Sequence, residues 1–191
     1  MDIDVTVTRD ELAGWLEELA PIRIHLDDLE ETERWLELER PVLVEFVPGV
    51  GVRLVTSGRL RYELAGFEIP ATIRKLVLMM IPEVVPASSS MQSLAFRLEI
   101  EDGDLVRVPV FVDQALVRRV NSALTPETTR MIWHFGQTLA RSIPLSNRLE
   151  PLDSLRLSVS GGAVGIDDRR ICFSIPLPLA VERSAARPAE G

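Results

Sequence analysis

The stretch TPETTRMIWHFGQTLARSI, residues 125–143, decides how the chain reads. Thr125 is suited to cap a helix, Pro126 fits the first helical position, where its missing N–H is not needed, and Glu127 faces the positive end of the helix dipole. A helix of about five turns is predicted from there, stopped by Pro144. At about 100° per residue, Arg130, His134, Gln137 and Arg141 fall in one narrow stripe, while Met131, Ile132, Trp133, Phe135, Leu139 and Ala140 spread round the rest. A helix that is apolar round most of its girth has to be covered, and nearly every other segment has the period of a strand. The predicted fold class is therefore α+β: a strongly curled antiparallel β-sheet wrapped around this long α-helix, with a second, N-terminal amphipathic helix.

Upstream, Ile3, Val5 and Val7 alternate with polar residues as a short strand, and Thr8 with Glu11 forms a capping box ahead of Leu12, Trp15, Leu16 and Leu19 at helical spacing. Pro21 ends that helix. Ile22, Ile24 and Leu26 alternate again before the acidic run 27–33, which lacks the glycine and ligand order of a calcium loop and reads as a solvated turn. Residues 35–46 read as one long strand with Leu36, Leu38, Val42, Val44 and Phe46 on its buried face and Pro41 marking an edge or a bulge. Pro48, Gly49 and Gly51 make a turn. Ser57 with Gly58, and Asp102 with Gly103, are read as two further hairpin turns. GVGVRL at 49–54 lacks the third glycine and the following helix of a dinucleotide loop.

Residues 73–81 are apolar at both parities, Val77, Met79 and Ile81 on one face and Leu76, Leu78 and Met80 on the other. Such a strand is covered on both sides, either as a central strand with helix on one face and a neighbouring subunit or loop on the other, or as the lining of a ligand groove. Residues 86–90 read as a polar loop. Asp113 can cap another helix through Leu116, Val117, Val120 and Leu124, and strands at 155–159, 164–166 and 171–175 close the chain. One domain over residues 1–181 is expected, with a disordered tail at 182–191.

The net charge of −8 argues against a nucleic-acid binder, which needs a basic patch to replace counterions on phosphate, so no nucleic-acid partner is expected. With 46% hydrophobic but only 5% aromatic residues, the interior is aliphatic. Cys172 stands alone, expected as a buried strand residue, and forms neither a disulfide nor a thiolate cluster by itself. His25 and His134 have no ligand partner at metal spacing and are expected at the surface. Ser160 lacks the glycine of a nucleophile elbow. No catalytic residue, cofactor or metal is expected, and the chain is not expected to be an enzyme. With no leader-like opening and no long apolar run, a cytoplasmic location is expected.

VTVTRDELAGWLEEL at 5–19, VPVFVDQALVRRVNSAL at 108–124 and LDSLRLSVSGGAVGIDDRRICFSI at 152–175 resemble, in order and patterning, the tubular lipid-binding superfamily, which includes the bactericidal permeability-increasing proteins and the synaptotagmin-like mitochondrial lipid-binding domains. The resemblance covers about a third of the chain. It implies a curled sheet about a long helix, an apolar ligand in the seam, and frequent dimerisation. The helix-grip fold is the rival architecture, but there the gripping helix usually ends the chain. The expected function is binding or transport of a lipid or other apolar small molecule without catalysis, in a groove lined by Val77, Met79, Met80, Ile81, Met91, Phe96, Met131 and Phe135. Transient membrane contact and a homodimer accompany that expectation. The alternative is a solid-cored interaction protein that oligomerises through residues 73–81.

Overall fold

In the computed structural model, residues 1–26, 34–64, 67–88, 91–106, 110–124, 131–145 and 152–183 are described. The chain opens with β1 (Asp2–Thr8), which runs directly into α1 (Arg9–Leu19). The expected capping box joins them: the Thr8 hydroxyl accepts from the Glu11 N–H, and the Glu11 carboxylate accepts from the Thr8 N–H at 2.8 Å. The Thr8 backbone bond, then the Thr8 side-chain bond, hold the Glu11 carboxyl below its ordinary range.

A single antiparallel sheet follows: β2 (Ile22–His25), β3 (Trp35–Leu38), β4 (Leu43–Val47), β5 (Gly51–Leu64), β6 (Phe67–Ser88) and β7 (Met91–Leu105). After α2 (Val110–Leu124), β8 (Met131–Trp133) completes it in the order β2-β3-β5-β6-β7-β8, with β4 also on β5. α3 (Phe135–Leu139), β9 (Arg141–Pro144), β10 (Leu152–Leu157), β11 (Ala163–Ile166), β12 (Arg170–Pro176) and β13 (Leu179–Arg183) finish the described chain. They build two small sheets, β1-β12-β11 and β13-β10-β9.

The large sheet curls into a half-barrel. Leu36, Leu38, Val52, Leu54, Leu60, Ile73, Leu76, Leu78, Met80 and Ile100 form its buried concave face. At one end α2 covers that face with Val117, Val120 and Leu124. Asn121 fixes the helix there, since its Oδ1 accepts from the Ile100 N–H at 2.7 Å and its Nδ2 donates to the Ile100 carbonyl at 2.9 Å. At the other end α1 and the β1-β12-β11 sheet lie over the same face, contributing Val7, Leu12 and Ile171 to one core. The Gly49 N–H, in the β4–β5 turn and at φ 71°, donates to the Ile166 carbonyl at 3.0 Å and ties that small sheet to the large one.

The long helix expected over residues 125–143 does not form, and the α+β fold class built on it is corrected to a mostly β fold with short helices. Residues 125–130 lie outside the described residues. Met131–Trp133 is a strand in register with Phe96, Ala95 and Leu94, His134 breaks the chain direction, α3 has only 5 residues, and Arg141–Pro144 pairs with β10. The physical reason is competition for hydrogen bonds. The open edge of β7 carries backbone groups that a neighbouring strand satisfies, and Ile132, Trp133 and Ile143 suit a pleated surface while Gly136 weakens a helix by about 1 kcal/mol.

Both glycine signals read as hairpins are corrections too. β5 runs unbroken through Ser57 and Gly58, and β7 runs through Asp102 and Gly103. Each lies where the register slips by a residue, between Thr56 and Gly58 on β5 and opposite Val77 and Leu78 on β7. These are bulges, which bend a strand and increase its twist. The strand expected over 35–46 breaks about Pro41, so β3 and β4 pair with successive lengths of the same β5. Residues expected as a loop at 86–88 continue β6, and β13 extends to Arg183, beyond the expected start of the tail. The acidic run 27–33 and residues 184–191 lie outside the described residues. Cys172 lies on β12 and is half-buried.

At Gly58 a Cβ would stand 2.1 Å from the Glu37 carbonyl oxygen of β3, so the strands can approach this closely only because the side chain is missing. Gly58→Ala is expected to lower stability by about 1–3 kcal/mol in urea unfolding, whereas Gly14→Ala, with nothing within 4 Å and a helical backbone, should raise it by about 0.5–1 kcal/mol. Asn121→Ala leaves the Ile100 backbone groups without these partners under α2 and should cost about 1–3 kcal/mol, read from the same unfolding midpoint shift.

Candidate functional site

The α1 layer does not fill the concave face that it covers. A cavity of about 600 Å³ occupies this space, within the range of small-molecule sites. Its floor is the large sheet, with Leu38 from β3, Leu54 from β5, Leu78 and Met80 from β6, and Phe96 and Leu98 from β7. Its roof is Leu12, Trp15, Leu16 and Leu19 from α1, with Val7, Ile171 and Phe173 from the small sheet. Ile22 and Ile24 close one side, Ile132 and Trp133 of β8 the other.

The helical spacing of Leu12, Leu16 and Leu19, with Trp15 beside Leu16 and Leu19, aims one stripe of α1 at this space, and strand alternation aims Leu54, Leu78, Met80 and Leu98 at it from below.

Three polar side chains reach the lining, and each is engaged elsewhere. The Thr56 hydroxyl donates to the Glu39 carbonyl at 2.7 Å, which turns its polarity into the backbone. Arg23 lies 4.5 Å from the centre of the Trp35 ring and bonds the Glu37 carboxylate through Nη2 at 2.6 Å and Nε at 3.1 Å. Glu37 is only 5% exposed and meets Arg59 at 2.9 Å as well, so a carboxylate buried between two guanidiniums ties β2, β3 and β5 together. The Arg23 hydrogen bond, joined by attraction to both arginines and opposed by burial, holds its carboxyl below the ordinary range. Glu39 meets Arg59 at 3.7 Å. What faces the empty space is almost wholly hydrocarbon.

One side is open. Trp15, Leu19, Ile132 and Trp133 all line the cavity and remain 51%, 66%, 43% and 40% exposed, which places a slot between α1 and β8. Exposed apolar side chains that converge on a cavity form a mouth, in contrast to the scattered ones any surface carries.

Of the residues picked from sequence for a groove, Met80 and Phe96 lie on the cavity wall. Val77, Met79 and Ile81 have the other parity of β6. Met79 is buried on that face in register with Arg53 and Glu99, while Val77 and Ile81 are half-buried there. Phe135 packs in a separate cluster with Leu94, Ile175 and Leu177. Met91 pairs with Ser88 at the far end of the sheet, and Met131 with Phe96; of these two only the backbone position is described. The structure therefore joins two of the eight. Reasoning from soft methionines passed over the α1 stripe, although its spacing was plain in the sequence.

The expected surface histidines are both exposed. His134 Nδ1 lies 2.7 Å from Ser93 Oγ, a hydroxyl whose residue is only 2% exposed and so out of reach of a substrate. Among the described residues, no three His, Cys, Asp or Glu side chains are grouped to hold a metal ion.

No protein-family model and no curated protein matches the sequence. Among solved structures, the fold is similar to the crystal structure of lipopolysaccharide binding protein, at 11% identity and a TM-score of 0.38. The match covers 99% of this chain and 55% of that one, so the chain spans about half the length of its structural neighbour, and the likeness is a distant one.

Proposed function

We propose that this protein binds a lipid or another apolar small molecule in the cavity between α1 and the curled sheet, without catalysing a reaction on it. The observation that carries the reading is a 600 Å³ space with a hydrocarbon lining and an apolar mouth. Taking a water's share of liquid, about 30 Å³, as the size of a methylene, the space admits on the order of twenty such units. Each buried methylene contributes about 0.8 kcal/mol, enough for one acyl chain to bind after the costs of ordering it are met. The reading calls on no nucleophile, base or metal.

A solid-cored assembly protein is supported less well. Leu76, Leu78 and Met80 already pack in the core of one chain, and Met79 is buried on the opposite face without a second subunit.

Organic extraction of the purified protein, or native mass spectrometry, should reveal a bound apolar molecule, and the delipidated protein should take up a fluorescent fatty acid. Leu98→Trp fills the cavity from a half-buried position. It is expected to weaken uptake at least about tenfold while the thermal transition moves little. A ligand at a hundred times its dissociation constant should stabilise the wild-type protein by about 2.7 kcal/mol and should not stabilise the variant comparably. A protein that comes through extraction empty and takes up no apolar probe removes the reading.

A further inference from the structure

Among the described residues that line the cavity, Thr56 carries the one hydroxyl, on a residue only 4% exposed. It shares the parity of Val52 and Leu54 on β5 and so stands on the concave face, at the break between β3 and β4. In the sheet order β6 and β7 separate β5 from β8, which sets Thr56 about 14 Å along the curve of the sheet from the β8 side of the mouth. The hydroxyl belongs to the interior of the cavity, where water is displaced when a ligand enters.

Three carbonyl oxygens surround it. Thr56 Oγ1 lies 2.7 Å from the carbonyl oxygen of Glu39, 3.0 Å from that of Ser57 and 3.4 Å from that of Arg40. A hydroxyl has one hydrogen and two lone pairs, and the nearest carbonyl, that of Glu39, takes the hydrogen. What this corner of the lining retains is acceptor capacity, on Oγ1 and on the carbonyls beside it. Acceptors with no hydrogen left to give select a donor, and they repel a carbonyl or carboxylate oxygen pressed against them.

We infer that the ligand is an apolar alcohol, its hydroxyl donating to Thr56 Oγ1 inside the cavity and its hydrocarbon running toward the mouth between α1 and β8. The inference rests on the proposed function and adds the polar group that the cavity selects. Burial makes the bond selective, since a polar group taken out of water without a partner loses more than the bond contributes when it forms. A fatty acid anion fills the hydrocarbon space only with its carboxylate left in water at the mouth. Arg23, the one cation among the described lining residues, is committed to Glu37 and to the Trp35 ring.

The test compares hexadecanol, its methyl ether and ionised palmitate, all below their aggregation limits, by competition with one fluorescent probe. The proteins are wild type, Thr56→Val, which keeps the shape of the side chain and loses its oxygen, and Thr56→Ser, which keeps the oxygen. Wild type should favour hexadecanol over both other ligands by about fivefold or more. In Thr56→Val that preference should fall to about twofold or less while the ether binds within about twofold of wild type, which reports an intact cavity; Thr56→Ser should retain the preference. Equal binding of alcohol and ether to wild type, tighter binding of palmitate than of hexadecanol, or an alcohol preference that survives in Thr56→Val overturns the alcohol assignment and leaves the cavity reading standing. Where Thr56→Val does not fold, the wild-type ranking together with Thr56→Ser decides. Failure of every ligand to bind overturns both readings.

Discussion

Close backbone approach at two glycines of β5 is the constraint from which the rest of the architecture follows. At Gly58 a side chain would stand 2.1 Å from the Glu37 carbonyl, and at Gly51 it would stand 2.5 Å from the carbonyl of Met80. Only residues without a Cβ let β3, β5 and β6 come together there. Combined with the register slips on β5 and β7, these points let one sheet bend into a half-barrel without giving up its ladder. A bent sheet has a concave face, and Leu36, Leu54, Leu60, Leu76, Leu78 and Met80 make it apolar. Some other part of the chain has to cover it.

The cover comes in two pieces of different kinds. α2 sits tightly, with Val120 and Leu124 each 1% exposed and Asn121 clamped to the Ile100 backbone. α1 sits loosely, with Leu12 buried but Trp15 and Leu19 half in water. It is held at its N-terminal end instead, by the capping box with Thr8 and by the small sheet tied down through Gly49. A roof fixed at one end and unfilled beneath is a suitable construction for a cavity. The Glu37 carboxylate between Arg23 and Arg59 stiffens the sheet by tying β2, β3 and β5 together.

Much of the local structure was legible in the sequence because its cause is local. Thr8 and Glu11 satisfy orphan N–H groups within one turn, Pro21 cannot continue a helix, and Asp167 accepts from the N–H groups of Arg169 and Arg170 to make a turn between the strands read at 164–166 and 171–175. The inward parity of Leu36, Leu38, Leu54 and Leu60 follows from strand period alone. The candidate site was legible only in part. Met80 and Phe96 were among the residues picked and lie on the cavity wall, whereas the α1 stripe that roofs it was read only as the apolar face of an amphipathic helix, since a stripe at helical spacing looks the same whether it meets side chains or empty space.

By itself, then, the sequence determined a mostly aliphatic chain of alternating strands with a capped N-terminal helix and a second helix ending at Leu124. It also determined that no basic surface dominates. The tertiary structure decided the fate of residues 131–143, the continuation of β5 and β7 through their glycines, and the presence of a cavity. Each depends on partners remote in sequence. Met131–Trp133 is a strand because the edge of β7 offers it hydrogen bonds, and the register slips beside Gly58 because β6 carries an extra residue between Ile73 and Leu76. The cavity exists because the α1 layer and the curved face beneath it meet without filling the space between them. Propensity and period act over a few residues, whereas open edges, close approaches and unfilled volume come into being only when distant segments are brought together.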